Sequence, residues 1–393
     1  MSSELLKYLR DMRFWIPLLV LLGFEGFLQS GLYKYALRPE SYAENVNRNV
    51  GFVAGSDLKP NVLILGTSVA YQGINMPLLT EELEGSGLRV MSAASQGALL
   101  ITQHSIYRYL DEHIPSVKLI VHVSETTFPW TARHLLDESN RSMLAQFPRT
   151  QVLPLLDDYD FHLKQGDYSF LLLRSITYRK DLRDFALDPA SRFKRLGRKY
   201  DREGAYDSPW GHANSYDYSI AAYNASNLKE CIENARAKTD FNDENGNPIT
   251  DADHQKALFV TCEIGLRDPI NRPGAEQWNR LFFKRLRLFH DEVRADGRVM
   301  LTVFPPYSNL IPDLNKDDRL ETWDAGLAAI YGDEPFHMAD LRRSLDGPDN
   351  NALYYDTIHL NRAGSARFTK AFAEMLKARA PELLTEAAPD TDD

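Results

Sequence analysis

The chain has 393 residues, 44% of them hydrophobic and 25% charged, an ordinary globular composition with ample length for a full core. Its formal charge of −10 argues against a general nucleic-acid binder, because phosphate affinity depends on Lys and Arg. An acidic polysaccharide held in a local basic groove stays open.

Residues 14–33 form an apolar run about as long as one membrane crossing. Lys7, Arg10 and Arg13 precede it and favour a cytoplasmic N-terminus, while Lys34 and Arg38 just after it pull the other way. Glu25 is costly inside hydrocarbon, so it either faces a partner helix or marks a marginal span. No small-x-small cleavage pattern follows. The run therefore reads as an uncleaved signal anchor, with everything after it outside the cytoplasm; the alternative is an amphipathic or buried N-terminal helix. The segment 36–60, polar and rich in Asn, Gly and Ser from residue 40 on, suits a tether.

The next unit is strand, loop, helix. Val62 to Leu65 is a short unbroken apolar run, as in a strand covered on both faces, and it leads into Gly66-Thr67-Ser68. Open parallel sheets place their chemistry at the carboxyl ends of such strands, so Ser68 is the candidate nucleophile. Asn75 caps and Pro77 opens the following helix. A second unit repeats the logic: a strand over 88–91, small residues from Ser92 to Gly97, and a helix from about 98 to 113. The third strand, 118–124, runs into Ser124-Glu125-Thr126-Thr127-Phe128.

From 132 to 273 the alternation stops and an insertion with helices intervenes, one of them expected over 168–178. The basic run Arg192, Lys194, Arg195, Arg198, Lys199 and Arg202 reads as a solvated helix face, or more sharply as a contact for lipid headgroups or an anionic glycan. Trp210, Tyr216, Tyr218 and Tyr223 stand among polar residues and fit either sugar contact or the seam of an inserted subdomain. Cys231 and Cys262 flank a tight hairpin turn at 242–248. In an oxidising compartment they would pair, worth roughly 3 kcal/mol in chain entropy; in the cytoplasm they would be two unrelated thiols. Asp240, Asn242 and Asp243 lack EF-hand spacing to Gly246.

The αβ pattern resumes with a helix over 275–290 and a strand over 299–304 that Pro305 and Pro306 end, leaving Tyr307 at the same edge as Ser68, to line an acyl or sugar pocket or to pack. A fifth strand is expected over 336–341. Then Tyr354-Tyr-Asp356-Thr-Ile-His359-Leu-Asn361-Arg-Ala-Gly364 supplies what a serine lacks at neutral pH: an imidazole to take its proton and a carboxylate to fix the imidazole's tautomer. Asn361 caps a closing helix with a buried stripe of Ala363, Phe368, Ala371, Phe372, Met375 and Leu376, and residues 382–393 read as a disordered tail. Of the ten histidines, only His359 has a carboxylate at the right offset on a predicted loop; His104 belongs to a helix and His122 to a strand. No histidine pair has zinc-ligand spacing beside a third ligand, and there is no glycine-rich phosphate loop, so neither metal nor cofactor is expected.

Gly66-Thr-Ser68 after a strand, Gly97 in the second block and Asp356-x-x-His359 before the last helix together resemble the SGNH, or GDSL-like, hydrolases. More narrowly, Leu65-Gly-Thr-Ser-x-Ala-x-x-Gly-Ile74, with an anchor before it and Asp-x-x-His-Leu-Asn-x-x-Gly364 after it, is similar to the membrane-anchored SGNH-like proteins of cell-surface glycopolymer modification. The alginate acetylation proteins and the D-alanyl transfer protein of teichoic acid synthesis are of that kind. The resemblance implies a three-layer, flavodoxin-like α/β fold with a parallel sheet, a Ser68–His359–Asp356 triad, and a Gly97 amide that joins the Ser68 amide in an oxyanion hole. Hydrolytic members add an Asn from the third block. Here Ser124 or Thr126 is left to donate, or the hole has two donors only, and losing one donor costs about 100-fold to 1000-fold in rate.

The organisation expected is a cytoplasmic tip and anchor (1–35), tether (36–60), core in two parts (61–131 and 274–381) around the insertion (132–273), and tail (382–393). The activity implied is that of an extracytoplasmic O-acyltransferase or acyl esterase acting on a polysaccharide, with a polytopic membrane-bound O-acyltransferase as partner and Glu25 as a point of contact. A second reading is a non-catalytic polysaccharide-binding or assembly subunit, to which the missing Asn and the large insertion point. A secreted lipase or peptidase-like hydrolase comes third.

Overall fold

The structure, a computed structural model, describes residues 12–38, 41–194, 219–237, 262 and 275–387. Five strands, β1 (Val62–Gly66), β2 (Val90–Ser92), β3 (Leu119–Val123), β4 (Val299–Phe304) and β5 (His337–Asp340), form one parallel sheet in the order β2-β1-β3-β4-β5. The order reverses between β1 and β3. The crevice beyond their carboxyl ends is therefore the topological switch point where such sheets place ligands.

Both faces of the sheet are covered, which is why the strand sequences are continuously apolar. On one face Leu63, Leu65, Ile120, Met300 and Phe304 pack with α2 (Tyr42–Ala54), α5 (Leu100–Asp111) and α13 (Ala275–Ala295). On the other, Val62, Ile64, Val121, Leu301 and Val303 pack with α4 (Met76–Glu82) and α15 (Arg362–Glu386). This is the expected three-layer α/β architecture. The side chain of Asn75 caps α4 by accepting from the Leu78 amide at 3.2 Å, and that of Asn361 caps α15 by accepting from the Gly364 amide at 3.0 Å.

Several expectations are corrected. The segment read as a tether is largely α2, because Val46, Val50 and Val53 repeat at helical intervals and bury against the sheet's helical layer, with Ser41 as N-cap. Helix 168–178 is broken in two, α9 (Gln165–Leu172) and α10 (Arg174–Thr177). The break has a visible cause: the Glu25 carboxylate accepts from the amides of Arg174 (2.6 Å) and Ser175 (3.0 Å), capping α10 from outside. Glu25 therefore satisfies backbone of its own chain, and it faces the insertion instead of a partner helix. Helix α15 continues through Pro381 to Glu386, with Leu383 buried; of the expected tail only 388–393 lie outside the described residues.

The N-terminal helix α1 (Met12–Gln29) carries Ile16, Leu19, Val20, Leu21 and Leu22 exposed. Among the described residues no helix is long and apolar enough to cross a membrane. Within the insertion, α7 (Glu138–Leu144) and α8 (Arg149–Asp158) contribute Met143, Leu144, Val152, Leu155 and Leu156 to the same core as α13, so this part of the insertion is continuous with the αβ body. Cys231, in α12 (Leu228–Ala237), and Cys262 are joined in a disulfide with Cα atoms 5.8 Å apart. Arg192 is buried and pairs with Asp181 at 3.0 Å, so it does not belong to a solvated basic face. Lys7, Arg10, Arg195, Arg198, Lys199, Arg202, the Trp210–Tyr218 aromatic stretch and the 242–248 turn lie outside the described residues, whereas Tyr223 is buried.

Candidate active site

Ser68 is the first residue of α3 (Ser68–Gly73), directly after β1. Close packing shapes this turn. A Cβ on Gly66 would lie 2.6 Å from the Ala70 Cβ and 3.0 Å from the Val123 carbonyl oxygen, so only glycine lets β1 pass into α3 this tightly against β3. Thr67 caps α3, its hydroxyl accepting from the Val69 amide at 3.2 Å. As the leading residue of a helix, Ser68 has a backbone N–H with no intrahelical acceptor.

The partners arrive on the loop before α15. An antiparallel bridge between Tyr354 and Leu360, with the Tyr355 amide donating to the His359 carbonyl at 2.8 Å, pinches residues 355–359 into a tight turn. Asp356 Oδ1 accepts from the amides of Ile358 (2.8 Å) and His359 (2.7 Å), which fixes the carboxylate within that turn. Gly364 is obligatory at the start of α15, where a Cβ would sit 1.9 Å from the Leu353 carbonyl oxygen. The backbone amide of Ser308, beyond β4, donates to the Thr357 carbonyl at 3.3 Å, and the Ile220 amide from the insertion donates to the Tyr354 carbonyl at 2.9 Å. Both body and insertion therefore hold the loop.

The three side chains meet. Ser68 Oγ donates to His359 Nε2 at 2.7 Å, and His359 Nδ1 donates to Asp356 Oδ2 at 2.6 Å. Burial disfavours a charged His359, but the Asp356 carboxylate and its hydrogen bond outweigh it and raise the imidazole above its ordinary value of 6.5. Such a relay converts a weak hydroxyl into a nucleophile: the imidazole takes the serine proton and the carboxylate stabilises the imidazolium.

Gly97 sits in a loop that hydrogen bonds hold beside the end of β1. The Ser95 amide donates to the Gly66 carbonyl at 3.0 Å, and Asn140 of α7 donates to the Gly97 carbonyl at 3.0 Å. Asn45 of α2 accepts from the Gln96 amide at 3.0 Å. Gly97 has φ +73°, left-handed backbone that favours glycine, and is exposed.

Ser124, Thr126 and Tyr307 are placed differently. The Ser124 amide donates to the Val303 carbonyl at 3.0 Å, extending the β3–β4 ladder, and its hydroxyl is buried without a partner. The Thr126 amide donates to the Tyr307 hydroxyl at 3.0 Å, and the Thr126 carbonyl accepts from the Trp323 indole at 3.3 Å. All three side chains are buried, so Tyr307 packs under the β3 turn and props it.

The residue of that turn that does reach the triad is one the sequence reading passed over. Glu125 Oε1 accepts from the Thr67 hydroxyl at 2.8 Å, next to Ser68, and Glu125 interacts electrostatically with both His359 and Asp356. Burial pushes its carboxyl above the usual range, only partly offset by Thr67 and His359. The available signal was its position, one residue beyond Ser124 on the loop where the resembled family carries a polar donor.

His134, Asp160 and His162 are brought together by two loops, with candidate ligand atoms within 4.8 Å of one another, a grouping that sequence spacing did not reveal. The two imidazoles lie face to face, 4.4 Å between centroids and 6° between planes. Their in-plane lone pairs therefore cannot converge on one ion as the rings stand. His104 lies in α5 and His122 in β3, both buried.

No family model and no curated protein matches this sequence.

Proposed function

We propose that the chain is a membrane-anchored, extracytoplasmic SGNH-like O-acyltransferase or acyl esterase that modifies a cell-surface or secreted polysaccharide. The observation that carries this reading is the continuous relay from Ser68 through His359 to Asp356, assembled at the switch point of a parallel sheet from residues at opposite ends of the chain. Ser68 attacks an acyl carbonyl as His359 takes its proton, and the oxyanion forms near the helix-leading amide of Ser68, with the Gly97 amide as second donor. His359 then returns the proton to the leaving group and activates a sugar hydroxyl, or water, to release the acyl group.

Two features support the setting. The Cys231–Cys262 disulfide belongs to an oxidising compartment. Residues Leu19 to Leu22 are consecutive and exposed, so at 100° per residue that turn of α1 is apolar on every side, which suits apolar surroundings; the helix's 18 residues extend about 27 Å. A polytopic membrane-bound acyltransferase remains the proposed partner, engaged through surfaces other than Glu25.

A serine-directed acylating probe tests the chemistry: an adduct on Ser68 is expected, and its absence under conditions that label a known serine esterase would count against the enzyme. The inward placement of Ser124 and Thr126 favours the second reading, a binding or assembly subunit. Polymer acylation that persists in cells carrying Ser68→Ala would favour that role.

A further inference from the structure

The site as described has a gap on its β3 side. Ser124 and Thr126, the residues at hand to replace a third oxyanion donor, have their amides engaged by Val303 and Tyr307 and their hydroxyls buried. Glu125 alone among them turns to the catalytic side, anchored to Thr67, which immediately precedes the nucleophile. With the Thr67 hydroxyl donating to Oε1, Oε2 is the oxygen left to carry the proton when the carboxyl is neutral.

We propose, resting on the acyl-transfer reading above, that Glu125 is a catalytic residue: as the neutral acid it donates a hydrogen bond through Oε2 to the oxyanion formed when Ser68 attacks an acyl carbonyl.

The charges around Glu125 favour this form. From the β1–α3 turn it faces the neutral Thr67, from the loop before α15 His359 and Asp356, and from the loop after β4 the Tyr307 phenol, itself held neutral by burial. At the tetrahedral stage Asp356 and the oxyanion are both negative and only His359 is positive. An ionised Glu125 would add a third negative charge at the point where charge develops, whereas the acid adds a donor. Burial raises the Glu125 carboxyl in the same direction. A carboxylic acid kept neutral to bind an oxyanion is a known solution to this electrostatic problem.

The step balances: the Ser68 Oγ–carbon bond forms, the carbonyl π pair moves to oxygen, and the serine proton goes to His359 Nε2. Glu125 keeps its proton throughout. Before attack the pair must hold one proton, on Glu125, with His359 neutral. The pH-rate profile is then bell-shaped, with both limbs belonging to the coupled pair.

The experiment is hydrolysis of p-nitrophenyl acetate by the full chain from pH 5 to 10, as wild type, Ser68→Ala, Glu125→Ala and Glu125→Gln, with thermal melts as folding controls. Glu125→Ala is expected to lower kcat about 100-fold. Glu125→Gln, whose amide also donates, is expected to recover most of that loss and to abolish the alkaline fall, leaving a profile that rises and levels. If the alanine variant does not fold, the glutamine profile decides alone. An alkaline fall retained in Glu125→Gln, or activity in that variant above wild type at the wild-type pH optimum, would overturn the proposal while Ser68-dependent turnover stood. Turnover that persists in Ser68→Ala would instead overturn the serine mechanism and this inference with it.

Discussion

The turns after β1 and β3 leave the sheet side by side, with Gly66 opposite Val123, yet they do different work. After β1 the chain delivers the proposed nucleophile: Gly66 permits the close turn, Thr67 caps, and Ser68 meets His359. After β3 Ser124 and Thr126 turn inward while Glu125 does not, so that Thr126 hangs on Tyr307 and Trp323 while Ser124 continues the ladder. Adjacent polar loops at a switch point are thus not equivalent donors. Whether a hydroxyl serves the site depends on which side of the turn the sheet's twofold alternation has put it.

The largest expected effects lie on the β1 side. Ser68→Ala and His359→Ala are each expected to lower ester turnover by roughly 10⁵-fold, and Asp356→Asn by about 10⁴-fold, through the loss of nucleophile, base and tautomer respectively. Steady-state kinetics with melting curves near wild type checks this, and near-normal turnover in any of the three would break the contrast between the two turns.

On the β3 side the effects are on stability. His122 is wholly buried with neither ring nitrogen bonded, and burial lowers it to about 4. Its folded value lies below the ordinary 6.5, so its contribution is full above about pH 6.5 and is lost as pH falls toward 4, on the order of 3 kcal/mol in all. His122→Leu is expected to flatten that acid slope without loss of stability at pH 7, as denaturant titrations at several pH values would show. The remaining slope belongs in part to His290, which burial also lowers to about 4.

Smaller still, Tyr307→Phe strands the buried Thr126 amide and is expected to cost about 1–3 kcal/mol, with a pH-rate profile of unchanged shape. A changed profile would return Tyr307 to the substrate pocket. Ser124→Ala removes a hydroxyl that bonds to nothing and is expected to be within about 0.5 kcal/mol of wild type. A large loss of activity there would restore Ser124 as an oxyanion donor.

Much of the αβ body was legible because its signals are local. The apolar run before Gly66, the Asn75 and Asn361 caps, and the prolines after β4 each dictate backbone within a few residues. The Asp356–His359 turn was legible for the same reason, since a carboxylate three residues before an imidazole can reach it without help from elsewhere. What escaped reading depends on distant partners. Helix α2 looked like a tether because its Asn residues are polar, but Asn45 and Asn49 hold the Gly97 loop through hydrogen bonds to Gln96 and Ala94 that no local pattern records. Glu25 looked like a misfit in an anchor until α10 supplied two amides. Glu125 was passed over because its hydroxyl neighbours resembled donors, and only the register of β3 against β1 shows which side chain faces the nucleophile.

The central claim is that Ser68 is activated by a neutral His359 whose proton affinity Asp356 has raised. The most direct measurement is the rate at which a serine-directed phosphonate modifies the full chain between pH 5 and 9, with the adduct located by peptide mass. The account predicts one adduct, on Ser68, at a rate whose acid limb rises with pH through a midpoint above 6.5, whatever fall Glu125 imposes at higher pH, and no adduct at that position in His359→Ala. Modification of a different serine, or a Ser68 rate indifferent to pH and to His359, would contradict it.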